Sequence, residues 1–338
     1  MKVYNKHSLN EYHQSLTYDD ISLIPTEISR VKTRKEVDTS SKFLGLELSI
    51  PIISSPMESV TGIEMAIELN SLGCLGIVNR FDSSMNDILN NKNYSRKIFA
   101  ISIALNTPLD TIKKFSEGRK IICIDTANAN NREVLKKTEL LKKNIKAKVI
   151  VGNIAHGASL KQLVDSGADG VRVGIGSGSV CSTSIQTGIG IGQVSSILDV
   201  FFARKESKLK IAIIADGGIK GAGDVAKAIA LGADAVMLGR LLAGTRETPG
   251  EVIRYNDQLW KKYRGSASFG VKMKNEFIEG EETMISYKGA VSNVVNAVSD
   301  GLRSSMSYMN CRNIEDLRKI ESFAVLSNHS YLERLPKP

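Results

Sequence analysis

Cys181 stands in the run Val173-Gly-Ile-Gly-Ser-Gly-Ser-Val-Cys-Ser-Thr183, where alternating glycines let the backbone turn its N–H groups inward. A thiol carried on such a loop, rather than inside an apolar strand, is placed to act as a nucleophile, and Ser179 and Thr183 add hydroxyls beside it. Read alone, the run also fits an ordinary glycine turn in which Thr183 caps the next helix. Cys74 and Cys123 fall in apolar strands or their lead-ins and read as packing residues, and Cys311 as incidental. Two further runs, Ala215-Asp-Gly-Gly-Ile219 and Met237-Leu-Gly-Arg240, offer backbone N–H groups of the kind that grip phosphate, and Asp216 can accept from a ribose diol. The competing reading gives these glycines to close helix–strand packing.

The elements that must position these groups follow from periodicity. Eight short apolar, β-branched runs recur at 50–57, 75–79, 99–105, 121–126, 148–155, 170–176, 210–218 and 235–244. Most are continuous rather than alternating, as expected for strands buried on both faces of a parallel sheet. Between them lie stretches of helical spacing such as GIEMAIELNSL, NREVLKKTELLKK and AGDVAKAIALG, several ended by glycine. This alternation predicts a single (β/α)8 barrel over 1–338, with chemistry at the strand C-termini. Over-long connections predict an active-site loop at about 174–193 and a flap at about 262–289.

The chain has 338 residues, 42% of them hydrophobic and 24% charged, which excludes a disordered class. The net charge of +9 comes from lysines scattered over polar helix faces without interleaved aromatics, so no nucleic-acid partner is expected. No apolar run approaches the ~18–20 residues of a membrane span, and the polar amino-terminal stretch carries no signal-peptide pattern. Four cysteines without a CxxC pair point to reduced thiols. The expectation is a cytoplasmic, soluble protein.

Taken together the motifs resemble the IMP dehydrogenase/GMP reductase family. The similar segments are LTYDDISLIP, SSPMESVT, IDTAN, GNIA, GIGSGSVCST, IADGGIKGAGDVAKAIALGADAVMLGRLLAGTRETPGE, YKGAVSNVV and GLRSSMSY, in collinear order over roughly residues 16–325. The resemblance implies a (β/α)8 barrel, usually a homotetramer, that binds a purine mononucleotide. By it Cys181 attacks purine C2, while Ser179, Gly218 and Gly239 hold phosphate and Asp216 the ribose; Gly217 and Arg240 fall at further substrate positions, the Arg240 guanidinium either adding a contact or pointing outward. Met57, Asn153 and Ser266 also fall at substrate positions. Asp125, Thr126, Ala127, Asn128 and Arg80 fall at cofactor positions. The backbones of Gly176, Gly178 and Cys181 match a potassium site. Ser177, Ser184, Arg240 and Asn79 depart from the usual family residues at their positions.

The resemblance also bears on which reaction runs. A dehydrogenase must activate water and takes its base from an Arg-Tyr pair on a long flap, whereas a reductase needs an acid to expel ammonia. No Arg-Tyr dipeptide lies between Ser268 and Glu279, and Glu279 matches the reductase acid that works with Thr183. Asp125-Thr-Ala-Asn128 and Arg80 likewise resemble the reductase pattern. The expectation is therefore NADPH-dependent conversion of GMP to IMP and ammonia, in purine salvage. The alternative is an IMP dehydrogenase lacking the regulatory insert, and a more distant one is a non-redox phosphate-binding barrel. Loss of the Asp216 carboxylate is expected to weaken nucleotide binding and leave folding intact.

Overall fold

A computed structural model of the chain describes residues 3–81, 97–179, 181–265 and 282–333. Eight strands form one parallel sheet: β1 (Ile52–Ser54), β2 (Ile77–Val78), β3 (Ala100–Ile103), β4 (Ile121–Asp125), β5 (Lys148–Ile154), β6 (Gly170–Val173), β7 (Ala212–Asp216) and β8 (Ala235–Leu238). Each lies within one of the eight runs expected from sequence. Consecutive strands pair in order from β2 to β8, and β8 pairs with β1. The ring is closed by the residue leading into β2: Ser54 donates its N–H to Leu75 O at 2.9 Å, and Leu75 returns one to Ile52 O at 3.0 Å. The fold is a (β/α)8 barrel.

Helices run between the strands: α1 (Ile63–Ser71), α2 (Leu109–Ser116), α3 (Arg132–Asn144), α4 (Leu160–Asp165), the short α5 (Thr183–Thr187), α6 (Gln193–Glu206) and α7 (Ala222–Ala230), with α8 (Val291–Tyr308) after the last strand. The long stretch 177–209 therefore holds two helices besides its glycine loop. None of the described helices is long and apolar enough to cross a membrane.

The period of two along each strand splits the apolar residues into two sets. Ile122, Ile124, Val149, Val151, Ile213 and Ala215 pack outward with the helices in the larger core. Ile121, Cys123, Ile150, Ile214, Ala235 and Met237 point into the barrel and form a separate cluster with Phe43 and Leu48. Those last two belong to a hairpin of Ser41–Phe43 and Leu46–Leu48 that plugs the ring. Two residues beyond the inward Cys123 and Ile214 come Asp125 and Asp216, and Arg172 of β6 joins them by hydrogen bonds at the strands' carboxyl ends. The barrel interior is thus apolar below and charged at its upper rim.

Gly152 makes room for that rim. A Cβ there would lie 2.5 Å from Arg172 Cβ and 2.9 Å from its Cδ, so β5 must be bare where the arginine crosses it. Gly152→Ala is expected to cost about 1–3 kcal/mol through overpacking, read by urea denaturation. An unchanged midpoint would show that Arg172 has room to shift.

After β8 the chain forms a three-stranded antiparallel sheet of Ile253–Tyr255, Gln258–Arg264 and Glu282–Ser286. The expected flap at 262–289 is therefore rooted on paired strands, with Arg264 opposite Glu282. Residues 266–281, Ser266 and Glu279 among them, lie outside the described residues.

Candidate active site

The loop after β6 crosses directly over the end of β7. A Cβ on Gly174, whose φ is +141°, would fall 2.1 Å from Asp216 O, so this crossing needs glycine. Gln193 then ties the loop down: its Nε2 donates to Val173 O at 2.6 Å, and Ser177 Oγ donates to its Oε1 at 2.9 Å. Ser177 thus holds the loop by a side-chain hydrogen bond. The turn closes with Cys181 N–H donating to Gly178 O at 3.1 Å.

Cys181 lies half-buried at the mouth of a cleft of about 310 Å³. Its thiol donates to Thr183 Oγ1 at 3.2 Å. The other cysteines are buried, and burial pushes the Cys74 thiol up to about 12 and those of Cys123 and Cys311 up to about 11. They are packing residues, inert as thiolates.

Most residues singled out from sequence converge on this cleft. Met57, Arg80, Asp125, Thr126, Ala127 and Asn153 line it, as do Gly176, Gly178, Ser179, Thr183, Asp216 and Gly217. Gly239 is close by, since a Cβ on it would meet Tyr263 Oη at 3.3 Å and Met57 Sδ at 3.4 Å. Three are placed differently. Gly218 borders a neighbouring cavity of about 420 Å³ with Tyr18, Gln193 and Lys220. Arg240 is exposed and does not line the cleft, although Lys288 Nζ donates to its carbonyl at 2.8 Å. Burial and the Arg240 charge push the Lys288 ammonium down to about 8. Asn128 is not on the cleft wall either; its Oδ1 accepts from Asn130 N–H at 3.0 Å, a local turn contact. A short polar side chain after a strand end satisfies its own loop first.

Sequence reasoning missed two residues. Tyr263, 2% exposed, approaches Ser179 Oγ with its hydroxyl at 3.3 Å, and burial raises its pKa so that it stays a neutral phenol. Arg172 is the other, its side chain 7% exposed inside the barrel. Its Nη1 donates to Asp125 Oδ1 at 2.7 Å, and its Nε and Nη2 donate to Asp216 Oδ2 at 3.1 and 2.9 Å. Burial opposes its charge, but the two carboxylates outweigh burial and hold its pKa well above the ordinary value. Asn153 Nδ2 donates to the same Oδ2 at 2.9 Å, and Arg80 Nε donates to Asp125 Oδ2 at 3.0 Å. The signal was available, because Gly170-Val-Arg-Val173 sets a charge at an inward position of an otherwise apolar strand.

This pairing argues against the expectation that loss of the Asp216 carboxylate leaves folding intact. Removing it strips a buried guanidinium of one of two counter-charges, so Asp216→Ala is expected to lose about 3 kcal/mol of stability, read as a lowered midpoint of urea unfolding. An unchanged midpoint would mean that Asp125 alone neutralises Arg172.

Chemically the cleft offers a nucleophilic sulfur beside a hydroxyl, together with the Asp216 carboxylate, which accepts the hydrogen bonds of Asn153 and Arg172 on Oδ2. That leaves Oδ1 for a ligand's hydroxyl. Across the cleft, Asp125, Arg80 and Thr126 form a second polar wall suited to a sugar–phosphate ligand. No group of three or more His, Cys, Asp or Glu side chains able to hold a metal occurs among the described residues.

A parallel barrel with a thiol loop after its sixth strand and an acidic residue closing its seventh defines a class of barrel enzyme. Over residues 15–337 the chain matches the family described as IMP dehydrogenase / GMP reductase domain, and it belongs to that family. An inosine-5'-monophosphate dehydrogenase from Cryptosporidium parvum is 32% identical over 381 aligned positions, covering 95% of this chain and 94% of the relative. A GMP reductase from Latilactobacillus sakei is 34% identical over 321 positions, covering 93% and 96%. An inosine-5'-monophosphate dehydrogenase from Thermoplasma acidophilum is 42% identical over 230 positions, and there the chain spans about half of the relative, 47%. Members of the family are oxidoreductases that act on purine mononucleotides with a nicotinamide cofactor.

Proposed function

We propose that the protein is a GMP reductase, which converts GMP to IMP and ammonia with NADPH, and that Cys181 is its covalent nucleophile. The observation that carries the reductase side is the flap stretch, which has Glu279 and no Arg-Tyr dipeptide between Ser268 and Glu279. Alignment length agrees: the dehydrogenase from Cryptosporidium parvum needs 381 positions, more than the 338 residues of this chain, whereas the reductase from Latilactobacillus sakei needs 321.

In this reading the Cys181 thiolate adds to C2 of the guanine ring, Glu279 and Thr183 deliver a proton to the 2-amino group, and ammonia leaves a thioimidate on the sulfur. A bound reduced nicotinamide supplies hydride to C2. The C2–S bond then breaks, which releases IMP and restores the thiolate. Asp216 Oδ1 takes the ribose hydroxyls and Asn153 lies on the base side. Ser179, Gly217, Gly218 and Gly239 bind the phosphate, joined by Tyr263; the exposed side chain of Arg240 leaves only its backbone for this. Asp125, Thr126, Ala127 and Arg80 face the cofactor, and their donor set fits a sugar diol and an anionic phosphate. Potassium would sit on the carbonyls of Gly176, Gly178 and Cys181; Gly178 O keeps a second lone pair beyond the one given to Cys181 N–H. The working form is a cytoplasmic homotetramer, consistent with apolar side chains left exposed at Ile185, Ile189, Leu259 and Met284.

The deciding experiment is spectrophotometric. Adding GMP to the protein with NADPH should consume the reduced nicotinamide and release ammonia. If IMP with NAD instead yields XMP as the main reaction, the reductase reading fails and the dehydrogenase takes its place.

A further inference from the structure

Arg172 occupies a position where an aliphatic side chain would be the ordinary choice. The inward residues below it are Ile150, Ile214 and Met237, and a buried ion pair generally gives no more stability than well-packed apolar groups of the same volume. The barrel nevertheless keeps the charge, and β5 gives up a side chain at Gly152 to admit it. What the arginine does there is hold two carboxylates at once, and both line the cleft.

We propose that Arg172 is a positioning residue that couples the two halves of the cleft, so that occupancy of the nucleotide half strengthens binding in the cofactor half and the reverse. This rests on the reading of Asp216 as the nucleotide's sugar contact and of Asp125 as the cofactor's. The chain of contacts is continuous. Asn153 and Arg172 fix Asp216 through Oδ2, at 2.9 Å from Asn153 Nδ2 and 2.9–3.1 Å from the guanidinium. The same planar guanidinium reaches Asp125 Oδ1 at 2.7 Å, and Asp125 Oδ2 takes Arg80 Nε at 3.0 Å. Charges alternate along this row, Arg80, Asp125, Arg172, Asp216, so no member can turn without unpairing its neighbour. Sugar hydroxyls that donate to Asp216 Oδ1 set the plane of that carboxylate. Through the rigid fork they set Arg172, and through Nη1 they set Asp125. A ligand arriving second at Asp125 then meets a carboxylate already ordered, and the ordering cost of its binding falls. The coupling is reciprocal by linkage. A lysine would keep the charge, but its ammonium is a point donor and cannot hold two carboxylates at a fixed mutual angle.

The test uses the full chain with IMP and ADP-ribose, a pair that carries the nucleotide and the cofactor's sugar–phosphate part without the reacting ring. Direct stacking of nicotinamide on the purine is thereby removed from the comparison. Calorimetric titration gives the Kd of IMP alone and with saturating ADP-ribose. In the unaltered protein IMP should bind tighter with ADP-ribose present by a factor in the usual allosteric range of about 5–150. In Arg172→Lys the ratio should fall below about twofold, whatever either single affinity becomes. A merely structural arginine would lower both affinities and leave the ratio alone. Should Arg172→Lys not fold, Asp125→Asn removes the charge that joins Arg172 to the cofactor half of the cleft and carries the same expectation for the ratio. A ratio near unity in the unaltered protein, or an unaltered ratio in the folded variant, overturns the coupling and leaves the nucleotide reading standing. If the unaltered protein binds neither IMP nor ADP-ribose, the nucleotide reading itself falls, and the coupling with it.

Discussion

Cys181→Ala is expected to lose at least about 10³-fold in turnover while GMP affinity changes only a few-fold. In the proposed mechanism the bond to purine C2 comes from the Cys181 sulfur, and no other described cysteine can replace it, since Cys74, Cys123 and Cys311 are buried. In the proposed reading affinity survives because other side chains make the sugar and phosphate contacts: Asp216 at the end of β7, and Ser179 and Tyr263, whose hydroxyls approach each other at 3.3 Å. Intact-protein mass spectrometry adds an independent check. With GMP and no reduced cofactor, the unaltered protein should gain the mass of a nucleotide adduct less ammonia, and the variant should not. Substantial residual activity in Cys181→Ala would remove covalent catalysis from the mechanism.

Glu279→Gln is expected to slow GMP reduction by about 10²–10⁴-fold, the usual loss when a general acid is removed, with little change in GMP affinity. Ammonia leaves C2 only as the protonated amine, so the acid is required before the hydride step and not after it. In the proposed mechanism Thr183, whose Oγ1 lies 3.2 Å from the Cys181 sulfur, relays the proton from the acid. The discriminating substrate is a 2-chloro analogue of the nucleotide, whose leaving group needs no proton. The variant should reduce that analogue at close to the unaltered rate. Near-normal GMP reduction by Glu279→Gln would place the proton donor elsewhere. Equal loss on GMP and on the chloro analogue would mean that the residue acts on folding or on the hydride step.

Much of this molecule follows from local pattern. The eight apolar runs became the eight barrel strands because a strand buried on both faces must be apolar throughout, a property written in consecutive residues. The helical stretches GIEMAIELNSL, PLDTIKKFSEG, NREVLKKTELLKK, SLKQLVDSG and AGDVAKAIALG became α1, α2, α3, α4 and α7 for the same kind of reason, a 3.6-residue apolar period. The thiol loop was legible because glycine spacing and a cysteine outside any strand are local features, and the structure brings Cys181 and Thr183 into contact.

Contacts across the barrel were decided by the tertiary structure alone. Arg172 is 47 residues from Asp125 and 44 from Asp216 along the chain, and only the lateral pairing of β4 through β7 brings both carboxylates to one guanidinium. Tyr263 reaches Ser179 from a sheet that follows the last barrel strand, 84 residues further on. Arg240 and Asn128, placed in the site by their position in a motif, turn away because side-chain direction depends on what each loop packs against. Sequence determined which residues end strands and which sit in loops, since those preferences are set within a few residues. Which charged groups face one another, and hence which carboxylate oxygen is left open for a ligand, depends on strand order and register, and these exist only once the barrel has closed.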